Sequence, residues 1–296
     1  MVFTDEGAKL RFGKPDFIGI GAQKAGTTWV DHLLRVHPDI WLPPIKELHY
    51  FDELDFAQRR AAAFSRMFGS SWEAKRWRRY LAIAAKASTR NPSAFAWYAR
   101  YLFGMRNNRW YSQLFPNSDS LVRGEITPQY QVLSLDRIQS IHSHLPQLKL
   151  ILLLRNPIDR TWSQLRMDLL KRYGGRKLED VPSKELDRFL DRRDVCQRGR
   201  GAETISRWIK VFPQEQLQVG LFDDICSCPE QVADKLCHFL GIRPFRELNM
   251  EIPGQVHRGV DASMPEFIRA RLSEMFTDDI LLLQERFGLP VGHWLE

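Results

Sequence analysis

The sequence predicts an α/β fold in three layers: a central, mostly parallel sheet flanked by helices, with a helical insertion. Three observations carry this. Short apolar runs that read as strands alternate with helical periodicity. The run from Leu148 to Leu154 is apolar except for Lys149, as in a strand covered on both faces, which is the usual condition of parallel sheets. The first apolar run ends in a glycine turn that opens directly into a helical pattern.

In chain order, Asp16 to Gly21 forms the first strand, and Trp29, Leu33 and Leu34 mark the helix after it, closed by His37-Pro38. The segment from about 56 to 110 interrupts the alternation. It reads as mainly helical, carries Trp72, Trp77, Tyr80, Trp97, Tyr98, Tyr101 and Trp110, and is taken as an insertion over the sheet edge rather than a domain of its own. Leu121 to Ile126, Leu148 to Leu154 and Leu217 to Phe222 are the further strands. Helices are expected over Ile158 to Arg172, Ala202 to Val211, Glu230 to Leu240 and Pro265 to Phe287. His142 and His144, just before Pro146, read as a surface loop, and Trp294 as an anchor for the tail. The whole of 1–296 is expected to be one domain.

The composition is that of an ordinary globular chain, 44% hydrophobic and 27% charged, with a net charge of +7. The charge is unevenly placed. Between Phe56 and Trp110 twelve Lys and Arg face a single acid, Glu73, so the rest of the chain is net acidic. Such asymmetry points to an acidic partner near the insertion and leaves room for peripheral membrane contact. With no recognisable nucleic-acid fold, its aromatics are not read as a base-stacking surface, and no nucleic-acid partner is expected. No apolar run approaches the ~18 residues of a membrane span, and Met1 to Leu10, with Asp5 and Glu6, does not resemble a signal peptide. The four cysteines cluster in the last third, too few for a disulfide framework, and imply reduced thiols in a cytoplasmic protein. Cys226-Ser-Cys228 lacks further ligands at zinc-like spacing.

Two stretches carry chemistry. Gly21-Ala-Gln-Lys24-Ala-Gly26-Thr27-Thr28-Trp29 lies between the first strand and its helix, where backbone N–H groups and the positive end of the helix close on an anion. It is P-loop-like, but Gly26 is followed by threonine, and the lysine, Lys24, lies inside the loop, so the hydroxyl–metal role of a Walker sequence is not evident. The second stretch runs from Leu150 through Arg155-Asn-Pro-Ile-Asp-Arg-Thr-Trp-Ser163. It brings a guanidinium and a hydroxyl to the carboxyl end of a strand, where open α/β sheets bind ligands, and the arginine fork suits phosphate.

Together these stretches resemble the motifs of sulfotransferases that use 3′-phosphoadenosine 5′-phosphosulfate (PAPS), most closely the bacterial and heparan-sulfate-type branch, over Lys14 to Trp294. The resemblance implies that Gln23, Lys24, Ala25, Gly26, Thr27, Thr28 and Trp29 cradle the 5′-phosphosulfate, and that Arg155 and Ser163 hold the 3′-phosphate. Lys24 would also stabilise charge on the leaving oxygen. A sulfuryl group carries one negative charge, so no metal is expected.

Further matches follow. Glu47-Leu48-His49-Tyr50-Phe51-Asp52 resembles the heparan-type Glu-x-His-Phe-Phe-Asp, which makes Glu47 the general base; Lys46 would lower its pKa, and His49 is the rival base. Gly124-Glu125-Ile126-Thr127-Pro128-Gln129-Tyr130 fits a bacterial pattern that closes the acceptor side, with Ile126 where some heparan-type relatives have a lysine; Glu125 and Pro128 suit a structural role as well as a catalytic one. His257-Arg258-Gly259 resembles a basic lid, which brings Arg258 and Gly259 to the nucleotide. Gly201 stands where many bacterial relatives have the tyrosine of Gly-Arg-Tyr, so that contact is lost or supplied by another aromatic.

The expectation is an enzyme that moves a sulfuryl group from PAPS, by in-line displacement, to an acceptor hydroxyl or amine of a carbohydrate, lipid, glycolipid or natural product. Two alternatives stand beside it. A P-loop nucleotide-dependent kinase is opposed by the missing Gly-Lys-Ser/Thr and by Arg155 with Ser163. A non-catalytic anion-binding module is opposed by the presence of Lys24 together with Glu47.

Overall fold

A computed structural model describes residues 13–52, 69, 72–88, 91–116, 118, 120–172, 181, 183–254 and 263–296. In chain order its elements are β1 (Phe17–Gly21), α1 (Thr27–Val36), β2 (Ile40–Trp41), α2 (Trp72–Ser88), α3 (Pro92–Phe103), α4 (Asn108–Ser112), β3 (Val122–Ile126), α5 (Leu135–His144), β4 (Lys149–Leu154), α6 (Pro157–Arg172), α7 (Ser183–Leu190), α8 (Arg193–Gly199), α9 (Gly201–Ile209), β5 (Leu217–Leu221), α10 (Phe222–Ser227), α11 (Pro229–Leu240) and α12 (Glu266–Glu285). The chain divides into two units, one of Met1–Pro15 with His49–Arg123 and one of Asp16–Leu48 with Gly124–Glu296.

The larger unit is built on a five-stranded sheet in the order β2-β3-β1-β4-β5. The pairs β1–β3, β1–β4 and β4–β5 are parallel, with Phe17 opposite both Gly124 and Lys149, and Leu150 opposite Leu217. Parallel strands need crossover connections, and the helices that supply them cover the sheet faces. That is why every residue of β1 is buried and why Leu150 to Leu154 of β4 are at most 3% exposed. Each such leucine contributes about 2 kcal/mol of transfer free energy. The expected α/β class with a mostly parallel sheet is therefore the observed one.

Local signals explain the helix boundaries. Pro157 opens α6, with Asn156 Oδ1 accepting the Ile158 N–H at 3.0 Å. Pro229 opens α11, and Gly241, at φ 75°, closes it. On α12, Ile268, Leu272, Phe276, Ile280 and Leu283 are buried at helical spacing. Trp294 is 3% exposed and donates to Asp223 Oδ2 at 2.6 Å, an anchor as expected.

The smaller unit contains the described part of the insertion, and that part is helical. Asn91 caps α3 by accepting the Ala94 N–H at 3.0 Å. The aromatics form its core: Trp97 stacks on Tyr101 at 5.5 Å, Tyr50 stacks on Tyr111 at 4.6 Å, and the Arg106 guanidinium lies over Tyr101 and Trp110. Trp97, Tyr98, Tyr101 and Trp110 are buried, so their faces serve packing. Arg59, Arg60, Arg66 and Arg90 lie outside the described residues.

Several elements differ from expectation. His142 and His144 are in the last turn of α5, with Ile138 and Ile141 of that helix buried and the His142 ring edge-on to Phe212 at 4.9 Å; the helix runs up to Leu145, just ahead of Pro146. The short strand β2 and the helices α7, α8 and α10 were not anticipated. Helix ends otherwise move by one or two residues.

Candidate active site

The loop after β1 turns sharply into α1. Ala22 N–H reaches Leu153 O at 2.7 Å, holding the chain against β4, and Ala25 N–H turns back to Ala22 O at 3.2 Å. Lys24 and Gly26 both have left-handed backbones, φ 70° and 90°. Glycine suits the second position, because a Cβ there would meet Ile225 Cδ1 at 2.9 Å and Phe222 Cδ2 at 3.1 Å. Among the described residues, neither a backbone carbonyl nor a capping side chain takes the N–H groups of Gly26, Thr27 and Thr28 at the start of α1. Among the described residues the buried Gln23 side-chain oxygen also has no hydrogen-bond partner. Ala25 and Trp29 are buried, and the Trp29 Nε1 donates to Pro253 O at 2.8 Å, fixing the first turn from behind.

Arg155 follows β4 directly. Its Nη1 donates to the Lys24 carbonyl at 3.3 Å, and its guanidinium lies over the Phe222 ring, 4.6 Å from the centroid. Burial lowers its pKa, with Asp159 and Asp223 partly offsetting the effect. The first and second motifs thus meet at the carboxyl ends of neighbouring strands. Ser163 is half-buried on α6, and among the described residues its hydroxyl makes no hydrogen bond.

Arg160, in the same motif, has a different place. It is 1% exposed and donates to Gln164 Oε1, Thr161 Oγ1 and Val195 O, a structural tie between α6 and α8. Burial, with Arg198 and Arg155 nearby, pulls its pKa down to about 9. At Gly201, a Cβ would meet Leu154 Cδ2 at 3.0 Å and Leu283 Cδ1 at 3.4 Å.

The third stretch reaches the loop through a residue the sequence reading treats only as a neighbour of Glu47. Lys46 Nζ donates to Thr28 Oγ1 at 2.9 Å and lies 4.0 Å from Glu47 Oε1. Buried Ile45 and Leu48 pin this segment on both sides. The Leu48 N–H donates to Glu125 Oε2 at 3.3 Å, and the same carboxylate accepts from Thr127 Oγ1 at 2.7 Å and Tyr130 OH at 3.0 Å. Glu125, 1% exposed, is therefore the brace that holds the Lys46–Glu47 turn. Only the structure shows the Lys46–Thr28 contact, since eighteen positions separate the two residues.

In the smaller unit, His49 Nδ1 lies 2.7 Å from Asp52 Oδ2. Lys24, Glu47, His49 and Asn249 are the non-glycine residues with positive φ among those described, so all three sequence-nominated catalytic residues carry this strain. Arg258 and Gly259 lie outside the described residues. Among the described residues no group of His, Cys, Asp and Glu is arranged to hold a metal.

A model of the sulfotransferase family matches residues 15–247. The chain belongs to the sulfotransferase family. It is 27% identical over 204 residues to the membrane-associated sulfotransferase kil1 of Dictyostelium discoideum, covering 68% of this chain and 32% of that protein. It is 24% identical over 251 residues to human heparan sulfate glucosamine 3-O-sulfotransferase 3A1, covering 82% of this chain and 47% of the relative. The chain thus spans about a third of the length of the first of these sulfotransferases and about half of the second. In fold it is similar to a sulfotransferase from Alicyclobacillus acidocaldarius, with a TM-score of 0.65 at 24% identity over 96% of this chain and 100% of the other. Among the described residues no helix is long and apolar enough to cross a membrane.

Proposed function

We propose that this chain is a PAPS-dependent sulfotransferase that modifies an acceptor hydroxyl, or an amine. The observation that carries the reading is the Arg155–Lys24 contact: it sets a partly desolvated guanidinium against a loop in which the N–H groups of Gly26, Thr27 and Thr28 have no protein acceptor among the described residues. One anion site beside another suits a nucleotide phosphorylated at both the 5′ and 3′ positions.

In this reading the N–H groups of Gly26, Thr27 and Thr28, with Gln23, Lys24 and Ala25 around them, hold the 5′-phosphosulfate, and Trp29 keeps the turn in place. Arg155 and Ser163 hold the 3′-phosphate, with Arg258 and Gly259 assigned there by sequence. Once bound, PAPS supplies an activated sulfuryl group. Lys24 stabilises the negative charge that develops on the leaving oxygen, a role that a fixed cation fills without metal. Glu47 takes the acceptor's proton, and His49, paired with Asp52, orients its own turn.

A carbohydrate is the first choice of acceptor, in keeping with the Glu47 motif and with the human relative named for heparan sulfate glucosamine. Lipid or glycolipid comes next, then a natural product. The relative named as membrane-associated supports a peripheral membrane contact through the basic segment. The four unpaired thiols suit a reducing, cytoplasmic setting.

The test is a panel of acceptor classes incubated with purified protein and radiolabelled PAPS, with and without EDTA. Label should pass to one hydroxyl-bearing class and survive EDTA. Transfer of phosphate from ATP, restored by magnesium, would support a kinase instead.

A further inference from the structure

Lys46 does not belong to either anion motif, yet its ammonium is seated on the first turn of α1. A lysine ammonium has donors only. In the 2.9 Å contact with Thr28, therefore, the lysine donates and the threonine oxygen accepts. Among the described residues, Thr28 Oγ1 has no other partner, so its own proton remains available to donate. It sits on the turn where, among the described residues, the N–H groups of Gly26, Thr27 and Thr28 lack protein acceptors. A hydroxyl that accepts from a cation is also polarised into a stronger donor.

We propose that Lys46 is a positioning residue of the 5′ anion site, fixing the Thr28 hydroxyl as a donor to the 5′-phosphate oxygens of the nucleotide. This rests on the reading of the loop as the 5′-phosphosulfate site. The turn that presents Lys46 is rigidly held, by buried Ile45 and Leu48 and by Glu125 on the Leu48 N–H. The cation also lies between Thr28 and the Glu47 carboxylate, 4.0 Å away, so one charge bears on the anion loop and on the candidate base.

A pH signature follows. Burial lowers the Lys46 pKa; Glu47 beside it and Asp31 of α1 oppose the shift, while Arg35 of α1 adds to it. As pH rises, Lys46 loses its proton below the ordinary lysine range, and the anchor for Thr28 goes with it. An arginine there would stay charged.

The experiment is calorimetric and needs no acceptor. The probes are 3′-phosphoadenosine 5′-phosphate and adenosine 3′-monophosphate, which lacks the 5′ group. Lys46→Met keeps most of the apolar stem; Lys46→Gln is a second variant if the first unfolds. Either should weaken the bisphosphate by roughly ten- to a hundredfold, the scale of a lost charge-assisted hydrogen bond. Binding of the 3′-monophosphate should not change. Thr28→Val should reproduce the loss, and the double variant should be no worse than the more damaging single one. Lys46→Arg should keep most of the affinity and move its alkaline decline to higher pH. Unchanged bisphosphate affinity in both Lys46 variants would overturn the proposal. So would full additivity with Thr28→Val, which would mean that Lys46 acts by charge alone. If the wild-type chain shows no preference for the bisphosphate over AMP, the nucleotide reading itself fails; a selective wild type with indifferent Lys46 variants removes the positioning role alone.

Discussion

Arg155 donates a hydrogen bond to the backbone carbonyl of Lys24 across 131 residues of sequence. This contact ties the turn after β4 to the loop after β1, two neighbouring parallel strands. Among the described residues the other donors of the Arg155 guanidinium have no hydrogen-bond acceptor in the protein, while burial disfavours its charge. A cation in that condition is suited to an anionic ligand.

The loop's conformation should be as necessary as its charges. Gly26→Ala would place a Cβ on a backbone at φ 90° and against Ile225 and Phe222. Stability should fall by about 1 to 3 kcal/mol, read from the denaturant midpoint. Nucleotide affinity should fall further than stability accounts for, because the N–H groups around Gly26 would lose their aim. Wild-type affinity in a folded Gly26→Ala variant would mean that the turn geometry is incidental.

Base and bystander can be separated at Glu47 and His49. Glu47→Gln keeps the size of the side chain but cannot accept a proton, so kcat with the true acceptor should drop by about 10² to 10⁴. Cofactor affinity should hardly change. His49→Asn should cost much less if the His49–Asp52 pair, 2.7 Å apart, only holds its turn. The reverse ranking would assign the base to His49.

The basic segment is expected to serve the acceptor. Arg76 lies 5.6 Å from the centre of the Tyr80 ring, and Arg79 is exposed on the same helix, α2. Reversing both charges should raise the acceptor KM and leave PAPS binding alone, since lost uniform binding appears in KM. An unchanged KM would make this a solvated helical face.

The four longer strands and the position of the glycine turn between β1 and α1 were legible because their signals are local. An apolar run such as Leu150 to Leu154 can only be a buried strand or helix, and Gly26 before Thr27 marks the loop's exit into α1. α5 was missed because Pro146 suggested a loop, although Leu135, Ile138 and Ile141 already held helical spacing. β2 is two residues long, and α8 is a short, charged stretch, so neither leaves a periodic trace. The role of Glu125 as a brace, and the seat of Lys46 on Thr28, depend on contacts between distant segments and are absent from local pattern.

We propose that the site is built for a nucleotide carrying a 3′-phosphate. Calorimetric titration of the wild-type protein with 3′-phosphoadenosine 5′-phosphate and with AMP, in the same buffer at fixed salt, tests it most directly. The bisphosphate should bind roughly ten- to a hundredfold more tightly, the scale of one charge-assisted contact at Arg155. Equal affinities would contradict it.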